Sequence, residues 1–249
     1  MVTGNSIDIR PTVSPVGLEP LQGKRIFLAR PTPDQAFFLR QCYENDEFMN
    51  LYRRSQNRRQ TEEQIRENLE KEQKFLPQQL KRIEWIIHHL ENDEAGNVIK
   101  RPIGLTALGA YQQRHGRAEF SLGIVRPEDR GGGITLEAHL LVLDFAFNIL
   151  KLNKVFIYIY GYNKHAQKNA ISSGFTQDGL LREHLWTKDG FIDLYMNSLL
   201  EKEFRDNQRL SRLSQRILKR DITSKPPSPQ MFSKEELAEA TESLRQNVR

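Results

Sequence analysis

The chain has 249 residues, enough for one substantial domain with appendages, and its 38% apolar and 28% charged residues describe a soluble protein with a modest core. No run of eighteen apolar residues occurs and no charged-then-apolar leader opens the chain, so the expectation is a cytoplasmic protein with no membrane partner. A single cysteine, Cys42, excludes an internal disulfide framework, and six scattered histidines give a metal centre little support.

The net charge of +5 is unevenly placed. Residues 201–220 carry seven Lys/Arg against three acids, and 53–59 add four more Arg. A solvated basic surface explains these runs first. An acidic partner or a nucleic acid is the weaker explanation, because the aromatics that would stack on bases are missing from them.

In chain order, residues 1–22 hold three prolines and little periodicity, and read as an arm or as a strand added at a sheet edge. A short strand over 25–30 follows. Thr32, Pro33 and Asp34 then start a helix, with Thr32 as N-cap, running to about Tyr43 and broken at Asn45-Asp46. Thr61-Glu62-Glu63-Gln64 is a capping-box pattern that opens a second helix to about Leu80, ended or kinked at Pro77. Residues 83–90 and 98–111 are rich in β-formers and flank a turn at 92–97, so they predict a hairpin.

The next strand, 118–125, alternates with Phe120, Leu122 and Ile124 on one face. After it come Arg130-Gly131-Gly132-Gly133-Ile134-Thr135 and then an apolar run to Leu150, which reads as a buried helix. Three glycines at a strand-to-helix turn let the backbone approach a ligand, and the first helical turn leaves N–H groups unpaired. With the helix dipole these donors suit a pyrophosphate. Neither the dinucleotide fingerprint G-x-G-x-x-G nor a Walker loop fits the stretch. The remaining order is a strand over 154–160, a short helix from Asn163 closed by Gly174-Phe175, and two strands turned at Lys188-Asp189-Gly190.

The sequence β-α-α-β-β-β-α-β-α-β-β resembles that of the GNAT acyltransferases, and particular residues carry the likeness. The loop at 130–135 is similar to that family's R/Q-x-x-G-x-G/A pyrophosphate motif. Asn163-Lys164-His165-Ala166, Gly174-Phe175, Gly179-Leu180-Leu181-Arg182 and 195–200 resemble the branch holding ribosomal-protein N-terminal and spermidine N-acetyltransferases. The likeness implies an α/β fold: a GNAT-like mixed, mostly antiparallel twisted sheet flanked by helices. The expected organisation is an arm over 1–23, the acyltransferase domain over 24–204, and a basic helical extension over 205–249 with a Pro-rich break at 226–229. Within that extension Leu210, Leu213 and Ile217 form a narrow apolar stripe, which predicts a helix docked on the domain or on a second subunit of a homodimer. Ser233-Lys234-Glu235-Glu236 starts another short helix.

The resemblance further implies acetyl-CoA or another acyl-CoA as cosubstrate and a small-molecule or protein amine as acceptor. Pyrophosphate is expected on the N–H groups of Arg130, Gly131, Gly132, Gly133, Ile134 and Thr135, although the family usually has Gly or Ala where Thr135 stands. Pantetheine is expected along Ile124 and Val125, with Asn163 at the cleft edge or simply capping its helix. Acetyl transfer needs a base for the amine and an acid for the leaving thiolate. Glu119, facing away from Phe120, is the candidate base; a surface carboxylate paired with Arg117 is the plain alternative. Relatives carry a Tyr where this chain has Ala170, so Tyr162 is the nearest phenol for the acid, and rim packing explains it equally well. A catalytically degenerate GNAT-fold binding protein therefore stays open as the alternative to an N-acyltransferase.

Overall fold

The structure, a computed structural model, describes residues 19–53, 60–76 and 79–225. The elements are β1 (Leu21–Gln22), β2 (Ile26–Ala29), α1 (Ala36–Glu44), α2 (Asp46–Tyr52), α3 (Glu62–Glu72), β3 (Ile83–Asn92) and β4 (Val98–Gln112). After them come β5 (Arg117–Ile124), α4 (Ile134–Asp144), β6 (Lys154–Tyr160), α5 (Lys164–Ser172), β7 (Thr176–Thr187), β8 (Gly190–Leu200), α6 (Glu201–Asp206) and α7 (Gln208–Leu218). The strands form one sheet in the order β1-β2-β3-β4-β5-β6-β8-β7. Every neighbouring pair is antiparallel except β5 and β6. This is the mixed, mostly antiparallel α/β sheet with flanking helices that the resemblance implied.

Strand alternation divides the core in two. On one face Ile26, Trp85, Ile87, Phe120 and Val155 pack with α4, Phe175 and Phe204. On the other, Ile86 and Leu105 pack with Leu39, Phe48, Met49 and Ile65 from α1, α2 and α3. α4 is apolar almost all round, which a helix tolerates only when covered on every side. The sheet covers one side of it and α7 packs on it from outside. Leu210 is fully buried there, with Leu213 and Ile217 against the same cluster. Ile222 closes the seam, and Arg220 binds Asp144 at 2.7 Å.

Three local expectations change. Asn45 does end α1, but its side chain accepts from Phe48 N–H at 3.0 Å and so starts α2, an extra helix. A residue good at breaking one helix is also a good N-cap for the next. α3 begins at the expected capping box, with Gln64 N–H donating to Thr61 Oγ1, yet ends at Glu72. The apolar run from Ile134 passes into a wider π-type turn over Phe145–Ile149. The kink expected at Pro77, the break at 226–229 and the capping box at Ser233 lie outside the described residues. Among the described residues no helix is long and apolar enough to cross a membrane.

Candidate active site

β5 and β6 pair over three positions only, Arg117 with Lys154, Ala118 with Val155 and Glu119 with Phe156, and then diverge. On its other side β5 stays paired to β4 as far as Gly104 opposite Ile124. Backbone groups alternate along an antiparallel strand. Val125 N–H donates to Ile103 C=O at 2.9 Å, so the residues in phase with it, Gly123 and Ser121, also turn toward β4. Leu122 and Ile124 turn their N–H and C=O into the wedge left by β6. Of the two residues expected along the pantetheine, Ile124 therefore offers backbone to the opening and Val125 N–H is already committed.

The glycine loop closes the far end of the wedge. Gly132 and Gly133 take φ of +64° and +80°, left-handed values that glycine adopts without strain. Gly133 caps α4, leaving the N–H groups of the first helical turn without intrahelical partners. Arg130 reaches back, its Nε 3.4 Å from Ile124 O and its Nη2 3.8 Å from the exposed Glu47. Thr135 is half-buried in the first turn.

Two supports for this loop were not singled out from the sequence. Asp129, immediately before Arg130, is buried and clamped by Arg101 at 2.7 and 3.0 Å. Those bonds hold its carboxyl below the usual carboxylate range. Glu137, fully buried one turn into α4, accepts from the backbone N–H of Lys24 and of Arg25 and pairs with Arg25 Nε at 3.3 Å. The Arg25 guanidinium also donates to Gly132 O. A carboxylate so near an anion site would repel a phosphate; Arg25 neutralises it and brings its own positive edge to the loop. Ile134 N–H donates to Gly131 O at 3.3 Å, and the donors that remain fit a pyrophosphate: other first-turn N–H groups, close backbone approach at glycine and an arginine on either side.

Asn163 caps α5, accepting from Ala166 N–H at 3.0 Å. Tyr162, 45% exposed, stacks on Tyr160 and donates its hydroxyl to Asn50 O in α2 at 2.5 Å. Ala170 is 3% exposed and belongs to the core on the α4 face. A side chain there is enclosed by packing, so the position of the family's tyrosine is filled by the core.

Glu119 is the last residue of β5 paired to β6, at the apex of the wedge and on the face toward α1–α3. Burial pushes its carboxyl up, opposed by the charges of Arg82 and Arg53. Arg117 is not its partner; that side chain donates to Gln112 at 3.0 Å. Beside it lies a part-buried polar network. Glu84 accepts from Tyr43 OH at 2.8 Å, Tyr52 OH at 3.0 Å and Arg82 Nη2 at 2.7 Å. Burial would raise the Glu84 carboxyl, but Arg82 and Arg53 outweigh it and hold it low. A cavity of about 530 Å³ adjoins the network, lined among others by Arg30, Tyr43, Arg53, Glu72, Arg82 and Glu84.

A family model described as the acetyltransferase (GNAT) domain matches residues 25–176. The chain belongs to that family. It is an acetyltransferase, and acetyl-CoA is its acyl donor. The uncharacterized N-acetyltransferase YoaA of Bacillus subtilis is 25% identical over 183 residues, covering 73% of this chain and 96% of that one. The spermidine N(1)-acetyltransferase of Vibrio cholerae is 29% identical over 105 residues, 42% of this chain and 60% of that enzyme. The crystal structure of spermidine N-acetyltransferase from Vibrio cholerae in complex with CoA and spermine superposes with a TM-score of 0.59. The two are 21% identical, over 72% of this chain and 97% of that one.

Proposed function

We propose that this acetyltransferase acetylates a primary amine, of a small molecule such as a polyamine or of a protein N-terminus, with Glu119 as the base. The observation that carries this reading is the place of Glu119: a half-buried carboxylate at the point where β5 and β6 part, on the side of the sheet opposite α4. A base works best when its pKa lies near the working pH, and burial moves Glu119 in that direction. The neighbours named for spermidine support an amine acceptor of that kind.

Bound acetyl-CoA supplies an activated thioester. The chain's own work is then threefold. Gly131 to Thr135, with Arg25 and Arg130, hold the pyrophosphate. The backbone N–H groups of Leu122 and Ile124 face the thioester end of the wedge and favour charge building on its oxygen. Glu119 takes the proton from the incoming ammonium, directly or through a water. Tyr162 is the assigned donor for the departing thiolate. Its proton rests on Asn50 O, so delivery costs that bond and its contribution is small; a thiolate is also a weakly basic leaving group that departs with little protonation. Asn163 keeps the start of α5, and so the edge of the wedge, in place.

Acetyl transfer from acetyl-CoA to spermidine and to a panel of peptides, followed by mass spectrometry, tests this directly. Glu119→Gln should lower kcat by about 10²–10⁴, the usual worth of a positioned acid or base, with acetyl-CoA binding retained. Tyr162→Phe should lower it by less than about 10², below that range. Full activity in Glu119→Gln would show that the base lies elsewhere. The alternative of a fold kept only for binding gains no support from the geometry, since the wedge, the loop and the half-buried carboxylate are all present.

A further inference from the structure

Three residues lie in a row across the sheet beside the reacting centre. Gly109 of β4 is opposite Glu119 of β5, and the β3–β4 register, Ile83 opposite Leu108, brings Arg82 to the other side of Gly109. The next row holds Glu84, Ala107 and Ser121. Strand spacing puts Arg82 and Glu119 about 10 Å apart at their backbones, within reach of the two side chains. Gly109 has no side chain to part them. A Cβ built there would stand 3.0 Å from Arg82 Nη1. The other edge of that guanidinium is taken: Nε and Nη2 both donate to Glu84 Oε1, at 3.2 and 2.7 Å, and Nη2 also donates to Tyr52 OH at 2.8 Å.

We propose that Glu84 is a positioning residue for Glu119: by holding Arg82 on its own side of Gly109, it keeps the guanidinium from closing onto the Glu119 carboxylate. This rests on the reading of Glu119 as base. An arginine salt-bridged to that carboxylate would make it a poor proton acceptor, since an adjacent opposite charge lowers a carboxyl pKa by about one to three units. Glu84 prevents this by competing for the same cation. The other charged and titratable groups gathered here are Arg53 at the end of α2, Tyr52 of α2 and Tyr43 of α1. Arg53 lies 4.0 Å from Glu84 and both hydroxyls donate to Glu84; the Arg53 charge also lowers the Glu119 carboxyl, less than Arg82 does. From β6, Glu119 meets Phe156 as its paired neighbour.

The test is a carboxyl ¹³C titration of the full chain labelled with [¹³C]glutamate, the Glu119 resonance being assigned with Glu119→Gln. In Glu84→Gln the Glu119 midpoint should fall by about one unit or more, as Arg82 swings across Gly109. In Gly109→Ala, which removes no charge, the new methyl pushes Arg82 back toward Glu84, and the midpoint should rise. A Glu119 midpoint that stays put in both, or moves the opposite way in either, overturns the proposal. If Glu84→Gln does not fold, Gly109→Ala decides alone. The base assignment fails separately: parental acetylation by Glu119→Gln would remove it, while the titration would still report whether Glu84 governs Arg82.

Discussion

His139 lies in the second turn of α4, half-buried with its Nε2 enclosed, its ring edge-on to Phe120 at 5.1 Å and to Phe175 at 5.9 Å. Its Nε2 has no hydrogen-bond partner. Burial pushes the imidazole down to about 4, whereas an unfolded histidine titrates near 6.5. The neutral ring therefore contributes its full stability above about pH 6.5, and loses it as pH falls toward about 4, roughly 3 kcal/mol in all. His139→Leu removes both the orphaned nitrogen and the titration. Its melting temperature should match or exceed the parent's at pH 7, and should fall less between pH 7 and pH 4.5. Parallel acid limbs in calorimetry would exclude His139 as the source. At the other end of the scale of reactivity, burial pushes the Cys42 thiol up to about 12, so it behaves as a small core apolar group.

Among the elements, the start of α4 is the part whose chemistry can be tested without straining the fold. Gly133 has a left-handed φ and would bring a Cβ to 2.9 Å from Arg25, so substitution there mixes strain with charge. Gly131 has an ordinary φ and open space around it. Gly131→Glu should leave the melting temperature of the free protein within about a degree, a surface-level effect. It should abolish the rise that acetyl-CoA produces in the parent, a stabilisation of about 2.7 kcal/mol at one hundred times Kd. A retained rise would place the pyrophosphate elsewhere. The glycine loop, the wedge strand and the caps at Thr61 and Asn163 were legible in the sequence because each is a local pattern of three to six residues. Glu84, Arg82, Tyr43 and Tyr52 were not. They come from β3, the residue before it, α1 and α2, and no spacing along the chain announces that these residues meet at one carboxylate. The same holds for Arg101 with Asp129 and for Arg25 with Glu137, pairs separated by 28 and 112 positions.

For the whole molecule, α6 and α7 are part of the core. Phe204 stacks on Phe147 at 4.4 Å, Arg205 binds Asn148 and the carbonyl of Phe147, and Leu210 fills the outer side of α4. Leu210→Ala should cost about 2–5 kcal/mol, measured by urea denaturation. Loss of under about 0.5 kcal/mol would mean that α7 is a surface appendage. The apolar stripe at Leu210, Leu213 and Ile217 was visible in the sequence, but the partner it docks on was not, because α4 shows no polar face to mark where a second layer belongs. That docking also sets a timetable. Leu140 and Leu210 are separated by about 70 positions. At about 5–20 residues per second, a ribosome makes α4 several seconds before it makes the helix that covers it. Through that interval a nascent chain carrying the finished glycine loop still shows water, or a chaperone, the bare outer side of its most apolar helix.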